Sequence, residues 1–153
     1  MSILDKVFGK SSKSEEDNRW AIFLNLCTTI IEADGVVSDS EIGFSRSYCQ
    51  KKAPHLNNSD WDRIAALADS LGPEGLVKAQ KLSESDKIEL IDYLMGIAIS
   101  DNDFSSQEAV RIIMIAMAIG VEQEKCFDMF MERGVDLVGM QDEIMNTLSK
   151  LKK

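Results

Sequence analysis

Apolar residues recur every three to four positions along most of the chain, and alternating runs of β-branched residues are absent. This spacing predicts α-helices and no sheet. Glycine, proline and helix-capping residues divide the pattern into segments, with Asn58 or Ser59, Ser83 or Ser85, and Ser105 as the expected N-caps. The predicted helices cover about residues 18–33, 39–52, 59–71, 74–82, 83–100, 105–119, 122–132 and 136–150.

These segments predict an all-α fold, a compact bundle of about seven to eight helices in one domain spanning residues 1–153. The helix that begins at Ser105 is apolar on all sides after Arg111, which places it inside the bundle or at an interface. The polar stretch 9–18 is predicted to be a linker. The domain then divides into an N-terminal segment with this linker (1–18), a first repeat (19–53), middle helices (54–83), a second repeat (84–121) and C-terminal helices (122–153).

The two repeats are related by an offset of 67 positions, which predicts an internal pseudo-two-fold duplication. A turn of the form Asp-Gly/Asn-x-apolar-Ser-x-x-Glu follows an apolar helix in each repeat, at Asp34–Glu41 and at Asp101–Glu108. Ser38 with Glu41 forms one predicted capping box and Ser105 with Glu108 the other, because each serine and glutamate are spaced to bond the first turn of a helix.

Capping leaves three carboxylates unexplained, those of Asp34, Asp101 and Asp103. Asp34 and Asp101 follow helix C-termini, where a negative charge opposes the helix dipole by about 0.3–1 kcal/mol. One explanation is an Asx-turn, in which each side chain accepts backbone N–H groups. The other is a divalent cation, Ca²⁺ or a similar oxygen-preferring ion, bound by Asp34, Glu41, Asp101, Asp103 and Glu108. The spacing of the second turn does not fit an EF-hand loop, since its glutamate comes eighth and not twelfth.

The composition limits the partners. The chain has 26 acidic and 17 basic residues and a net charge of −9, which disfavours nucleic acid and favours cations or basic protein surfaces. Cys27, Cys49 and Cys126 lie in apolar runs and are expected to be reduced, buried thiols. The longest uncharged run has twelve residues, 20–31, so no direct membrane span is expected. No secretory signal is predicted at the start of the chain, which favours a cytoplasmic location.

The paired turns, the length of the segment between them and the opening sequence MSILDKVFGK resemble the TerB-like family, named for a tellurite-resistance protein, over about residues 1–121. The resemblance implies an all-α fold with internal two-fold similarity. It also implies a divalent-metal site in the acidic turns, at Asp34, Glu41, Asp101 and Glu108, and a role in bacterial stress or metal resistance at the inner face of the membrane.

Two functions follow as hypotheses. The first is an acidic, non-enzymatic module that binds a divalent cation and needs no other cofactor. The alternative is a metal-independent scaffold whose acidic turns dock a basic surface of a protein partner, for instance one associated with the membrane. The apolar helix after Ser105 and the methionines near it are candidates for self-association. No catalytic residue is predicted, because the sequence has neither a His-centred nucleophile nor a glycine-rich phosphate loop.

Overall fold

The computed structural model describes residues 10–31, 39–100, 106–135 and 141–151, and within these ranges it is all-helical. Eight α-helices lie in the described ranges: α1 Lys10–Ile31, α2 Asp39–Lys52, α3 Asn58–Leu71, α4 Glu74–Ala79, α5 Glu84–Ile99, α6 Ser106–Ala118, α7 Gln123–Glu132 and α8 Gln141–Leu151. The prediction of an all-α bundle of seven to eight helices is therefore confirmed.

Two helices, α1 and α5, form the centre of the bundle. On α5, the side chains of Leu90, Ile91, Leu94 and Ile97 are completely buried. α1 packs against α3, α4, α5 and α6, whereas α5 contacts α1, α2, α6 and α7. A helix contacted on so many sides must be apolar around most of its circumference, and this explains the narrow polar stripes of α1 and α5.

A chain of aromatic rings connects four of the helices through the core. Trp61 of α3 meets Trp20 of α1 edge-on, with ring centroids 5.5 Å apart, and Trp20 meets Phe23 in the same way at 5.3 Å. Phe23 stacks on Tyr93 of α5 at 5.8 Å. From Tyr93 the chain continues to Tyr48 of α2 at 4.8 Å. Such pairs add about 0.5–1.5 kcal/mol each beyond their buried area, so these rings join α1, α2, α3 and α5.

The prediction of a linker over residues 9–18 was wrong for its described part, because α1 begins at Lys10. Side-chain contacts explain why this polar stretch is helical. Arg63 of α3 donates two hydrogen bonds to Asp17, at 2.9 and 3.1 Å, and His55 lies 2.7 Å from Glu16. These contacts hold the first turns of α1 against α3 although few apolar residues are buried there.

Two helices end as their glycines predict. Gly120 and Gly134 have φ values of +93° and +79°, the left-handed conformation that glycine adopts without strain. After α6, Val121 N–H bonds the carbonyl of Ala116 at 2.7 Å, and Gly120 N–H bonds that of Met117 at 3.1 Å. This pair of bonds defines a Schellman motif, and the same pattern ends α7 at Gly134.

Of the two places expected for α6, inside the bundle or at an interface, the first holds for only one face of the helix. Ala109, Ile112, Ile113 and Ala116 are completely buried, but Met114 and Met117 are exposed. None of the helices in the described ranges combines the length and hydropathy that a bilayer span requires.

The packing of α2 on α5 depends on a glycine. A Cβ atom added at Gly96 would lie 2.2 Å from Cζ of Phe44, so α2 approaches α5 closely at this point. Gly43 lies on α2 with no atom within 4 Å of the corresponding position. The two glycines therefore form a matched pair, one in contact and one open to solvent.

We expect Gly96→Ala to lower the free energy of unfolding by about 1–2 kcal/mol, because the methyl group must displace the Phe44 ring. Gly43→Ala should raise it by about 0.5–1 kcal/mol through helix propensity alone. Urea unfolding monitored by circular dichroism measures both. Equal stabilisation by the two substitutions would show that α2 does not contact α5 at Gly96.

Candidate metal centre

Two glutamates of the predicted site are buried at the start of two helices. Glu41 is in the first turn of α2 and Glu108 is in the first turn of α6. Their exposed fractions are 1% and 2%, and within the described residues they are the two charged side chains that are fully buried. Glutamate is almost never fully buried without partners. Glu41 and Glu108, which lie 67 positions apart in the sequence, therefore differ from solvated surface charges in the same way.

The helices that precede these glutamates in the chain, α1 and α5, are anchored in the core close to their C-terminal ends. Ile30 of α1 and Ile97 of α5 are completely buried and are equivalent under the offset of 67. Ser100 follows α5 directly, and its hydroxyl donates to the carbonyl of Ile97 at 2.7 Å. The last described turns of α1 and α5 are therefore held by the core.

The position of Glu41 and Glu108 at helix N-termini stabilises their negative charge. A carboxylate in the first turn lies near unsatisfied N–H groups and the positive end of the helix dipole. Burial raises the pKa of the Cys27 thiol on α1, and the negative charge of Glu41 adds a smaller contribution in the same direction.

The other predicted ligands, Asp34, Asp101 and Asp103, lie outside the described residues, as do the capping serines Ser38 and Ser105. Within residues 10–31, 39–100, 106–135 and 141–151, no three His, Cys, Asp or Glu side chains come together as a metal-binding group would. A metal site with several carboxylates therefore requires Asp34 in addition to Glu41 in the first turn, and Asp101 or Asp103 in addition to Glu108 in the second. Its donors would all be oxygen atoms, the set that Ca²⁺ prefers.

The arrangement of the helices bears on the proposed duplication. By the offset of 67, α1 corresponds to α5 and α2 to α6. α2 packs on α5 and α6 packs on α1, and a pseudo-two-fold axis would relate these two contacts. α6 also packs on α5, whereas within the described residues α2 and α1 make no contact of similar extent, and the duplication stays a prediction from the sequence.

Sequence reasoning missed a polar cluster in the core. The hydroxyl oxygens of Ser45 and Tyr93 are 2.5 Å apart, and the thiol of Cys27 donates to Ser45 Oγ at 3.9 Å. All three cysteines are buried free thiols, as predicted. What the sequence did not indicate is that Cys27 contacts a pair of hydroxyl groups, since Tyr93 lies in an apolar run that indicates only core packing.

Comparison with known proteins gives one match. A protein-family model described as tellurite resistance protein TerB matches residues 21–129, a range that contains both acidic turns. No curated protein and no solved structure matches the chain.

Replacing each buried glutamate by its amide isostere separates capping from charge. Glutamine also completes a capping box, so Glu41→Gln and Glu108→Gln should each change the free energy of unfolding by less than about 1 kcal/mol in buffer containing a chelator. Glu→Ala at the same positions removes the capping group and should cost about 1–3 kcal/mol. Chemical unfolding measures both series. If the glutamine variants lose as much free energy of unfolding as the alanine variants, the negative charge itself is required in the apo protein. Capping would then not explain why the glutamates are buried.

Proposed function

Because the chain belongs to the tellurite resistance protein TerB family, we propose that it is a non-enzymatic binding module that holds a divalent cation through its two Asp/Glu turns. Glu41 and Glu108 would each supply a carboxylate from the first turn of a helix. Asp34 in one turn, and Asp101 with Asp103 in the other, would supply the rest. The setting would be resistance to stress or to metals, tellurite included.

One observation carries the proposal: the burial of Glu41 and Glu108 at equivalent positions of the two turns. Removing a carboxylate from water is costly and must be compensated by hydrogen bonds or by positive charge. A capping box supplies hydrogen bonds. Each turn, however, has further carboxylates close in sequence. In a chain with a net charge of −9, basic side chains are too few to pair with every carboxylate. A bound divalent ion would offset this local excess of negative charge.

The oxygen donors favour a hard ion. Carboxylate, carbonyl and hydroxyl oxygens suit Ca²⁺, which accepts irregular geometry with six to eight ligands, better than Mg²⁺, which requires near-octahedral geometry. Two sites, one in each turn, are the simplest arrangement, because each turn repeats the same Asp and Glu pattern.

Thermal unfolding with and without divalent ions tests this function. At a free Ca²⁺ concentration 100 times the Kd, binding at one site adds about 2.7 kcal/mol to the native state, which for a chain of this size raises Tm by about 5–10 °C, and filling both sites about doubles the effect. Asp34→Asn combined with Asp101→Asn should abolish the shift. The same pair should be neutral or slightly stabilising without the ion, because it removes two charges that oppose helix dipoles.

The matched control is Asp69→Asn with Asp128→Asn, which removes two exposed carboxylates from α3 and α7 and leaves the turns intact. This control should keep the full shift. If neither Ca²⁺, Mg²⁺, Mn²⁺ nor Zn²⁺ at millimolar concentration changes Tm, the cation function is wrong. The scaffold hypothesis then replaces it, with salt-sensitive binding to a basic partner that the Asp34/Asp101 pair weakens.

A further inference from the structure

A groove separates α2 from α3 on the outside of the bundle. α2 packs on α5 and α3 packs on α1, and the space between them measures 660 Å³, with Leu24 of α1 among its lining residues. Each of the two helices lines the groove with side chains three or four positions apart, the spacing of a single helix face. These side chains include Ile42, Arg46 and Cys49 from α2, and Asn58, Trp61 and Ala65 from α3. Such a groove between two helices has the form that receives an amphipathic helix.

The apolar side chains of the groove are only partly covered. Ile42 is 42% exposed, and Leu24 and Trp61 are half-buried. Trp61 also contacts Trp20 edge-on, so the groove adjoins the chain of aromatic rings in the core. Covering these side chains with an apolar partner removes their surface from water and is therefore favourable.

The sequence supplies an amphipathic segment directly before α1. The apolar residues of this segment, residues 1–9, which lie outside the described residues, include Ile3, Leu4, Val7 and Phe8. In a helix these four positions share one side, and Ser2, Asp5 and Lys6 lie away from it. The segment therefore matches the groove in kind, with one apolar side about two helical turns long.

The segment is long enough to reach the groove. α1 begins at Lys10, and Trp20, which contacts Trp61, lies ten residues further along, about 15 Å at the rise of an α-helix. Nine residues span about 13 Å as a helix and about 30 Å when extended. A chain reversal at Gly9 therefore brings the apolar side of the segment to Trp61, and glycine adopts the backbone conformations that such a reversal requires.

Distance and charge distinguish this groove from the cavity beside α6. That cavity, of 340 Å³, is lined by Leu26, which lies sixteen residues after Lys10, about 24 Å along α1. Among the described residues that line it, the charged one is Arg111, which offers no partner to a lysine. The groove between α2 and α3 instead carries one base and one acid, Arg46 and Asp62, and the segment brings Asp5 and Lys6. The groove between α2 and α3 is therefore both nearer and complementary in charge.

We propose that residues 1–9 of the same chain dock in the groove between α2 and α3. Their apolar side covers Ile42, Leu24 and Trp61, and the charged residues of the segment lie at the rim. A partner helix that binds this groove must first displace the segment. The docking uses none of the carboxylates of the acidic turns, so it is independent of the divalent-cation function.

Paramagnetic broadening of NMR signals in the full chain tests the docking. Ser2→Cys places a nitroxide label on the polar side of the segment, and the native cysteines are at most 5% exposed, so the label attaches at position 2. We expect loss of amide signal intensity at Trp61 and its neighbours on both walls of the groove. The signals of Met114 and Met117, which are exposed on α6, should keep their intensity.

A mixed sample identifies the chain that occupies the groove. ¹⁵N-labelled protein without nitroxide is mixed with an equal amount of unlabelled protein that carries it. Docking within one chain predicts no broadening in this mixture. Broadening as strong as in the singly labelled protein would show that a second copy supplies the segment, and it would overturn the proposal.

Variants on both sides of the contact provide the matched comparison. Leu4→Asp charges the apolar side of the segment, and Ala65→Glu fills the groove from an exposed position of α3. Each should abolish the broadening at the groove. Leu4→Asp should also lower Tm by about 3–6 °C, because the burial of a leucine is lost. Ser2→Asp adds the same charge to the polar side and should keep Tm within about 2 °C of the wild type.

The proposal is overturned if the label leaves the groove signals unchanged, or if the broadening persists in Leu4→Asp. Equal values of Tm for Leu4→Asp and Ser2→Asp would contradict it as well. Circular dichroism establishes that every variant retains its helices. Asp34→Asn with Asp101→Asn should leave the broadening unchanged, so failure of the cation function and failure of the docking are distinguishable.

Discussion

The stack of Phe23 on Tyr93 joins the two central helices, and the other parts of the bundle are arranged around this contact. The two rings are 5.8 Å apart and completely buried. With α1 and α5 fixed against each other, α3 covers the outer side of α1 through Trp61 and Trp20, and α2 covers α5 through Tyr48. Because both central helices are buried on most sides, their last turns are held in the core at Ile30 and Ile97.

The same contact determines the polar features of the core. Tyr93 presents its ring to Phe23 and its hydroxyl to Ser45, and Ser45 also accepts a hydrogen bond from the thiol of Cys27. The polar groups of the core therefore lie where α1, α2 and α5 meet.

Most of the fold follows from the sequence because helical periodicity and capping residues are local signals. Helix ends at Gly120 and Gly134 were predicted from glycine alone, and Ser83, one of two candidates, is the N-cap of α5. The N-cap of α3 is Asn57, one residue before the predicted position, since Asn57 and Asp60 form a reciprocal capping box. The helical start of α1 was missed because its stability comes from Arg63 and His55, which lie far away in sequence.

The candidate metal site was predictable in part, because its turns also carry a local sequence pattern. The offset of 67 indicated Glu41 and Glu108 as equivalent residues, and both are buried. Their burial itself could not be predicted, because capping glutamates are exposed or buried according to which helices cover them. The hydrogen bonds that join Cys27, Ser45 and Tyr93 were likewise not predictable, since no spacing rule connects α1, α2 and α5.

The most direct test of the central claim is to locate a bound cation by its effect on backbone amides. Mn²⁺ substitutes for oxygen-ligated divalent ions and broadens the NMR signals of nearby nuclei. A titration of ¹⁵N-labelled protein with substoichiometric Mn²⁺ should broaden amides of both turns, residues 34–41 and 101–108, before any others, and excess Ca²⁺ should restore them. Equal broadening at exposed carboxylates such as Asp69 and Asp128, with no preference for the turns, would contradict the account.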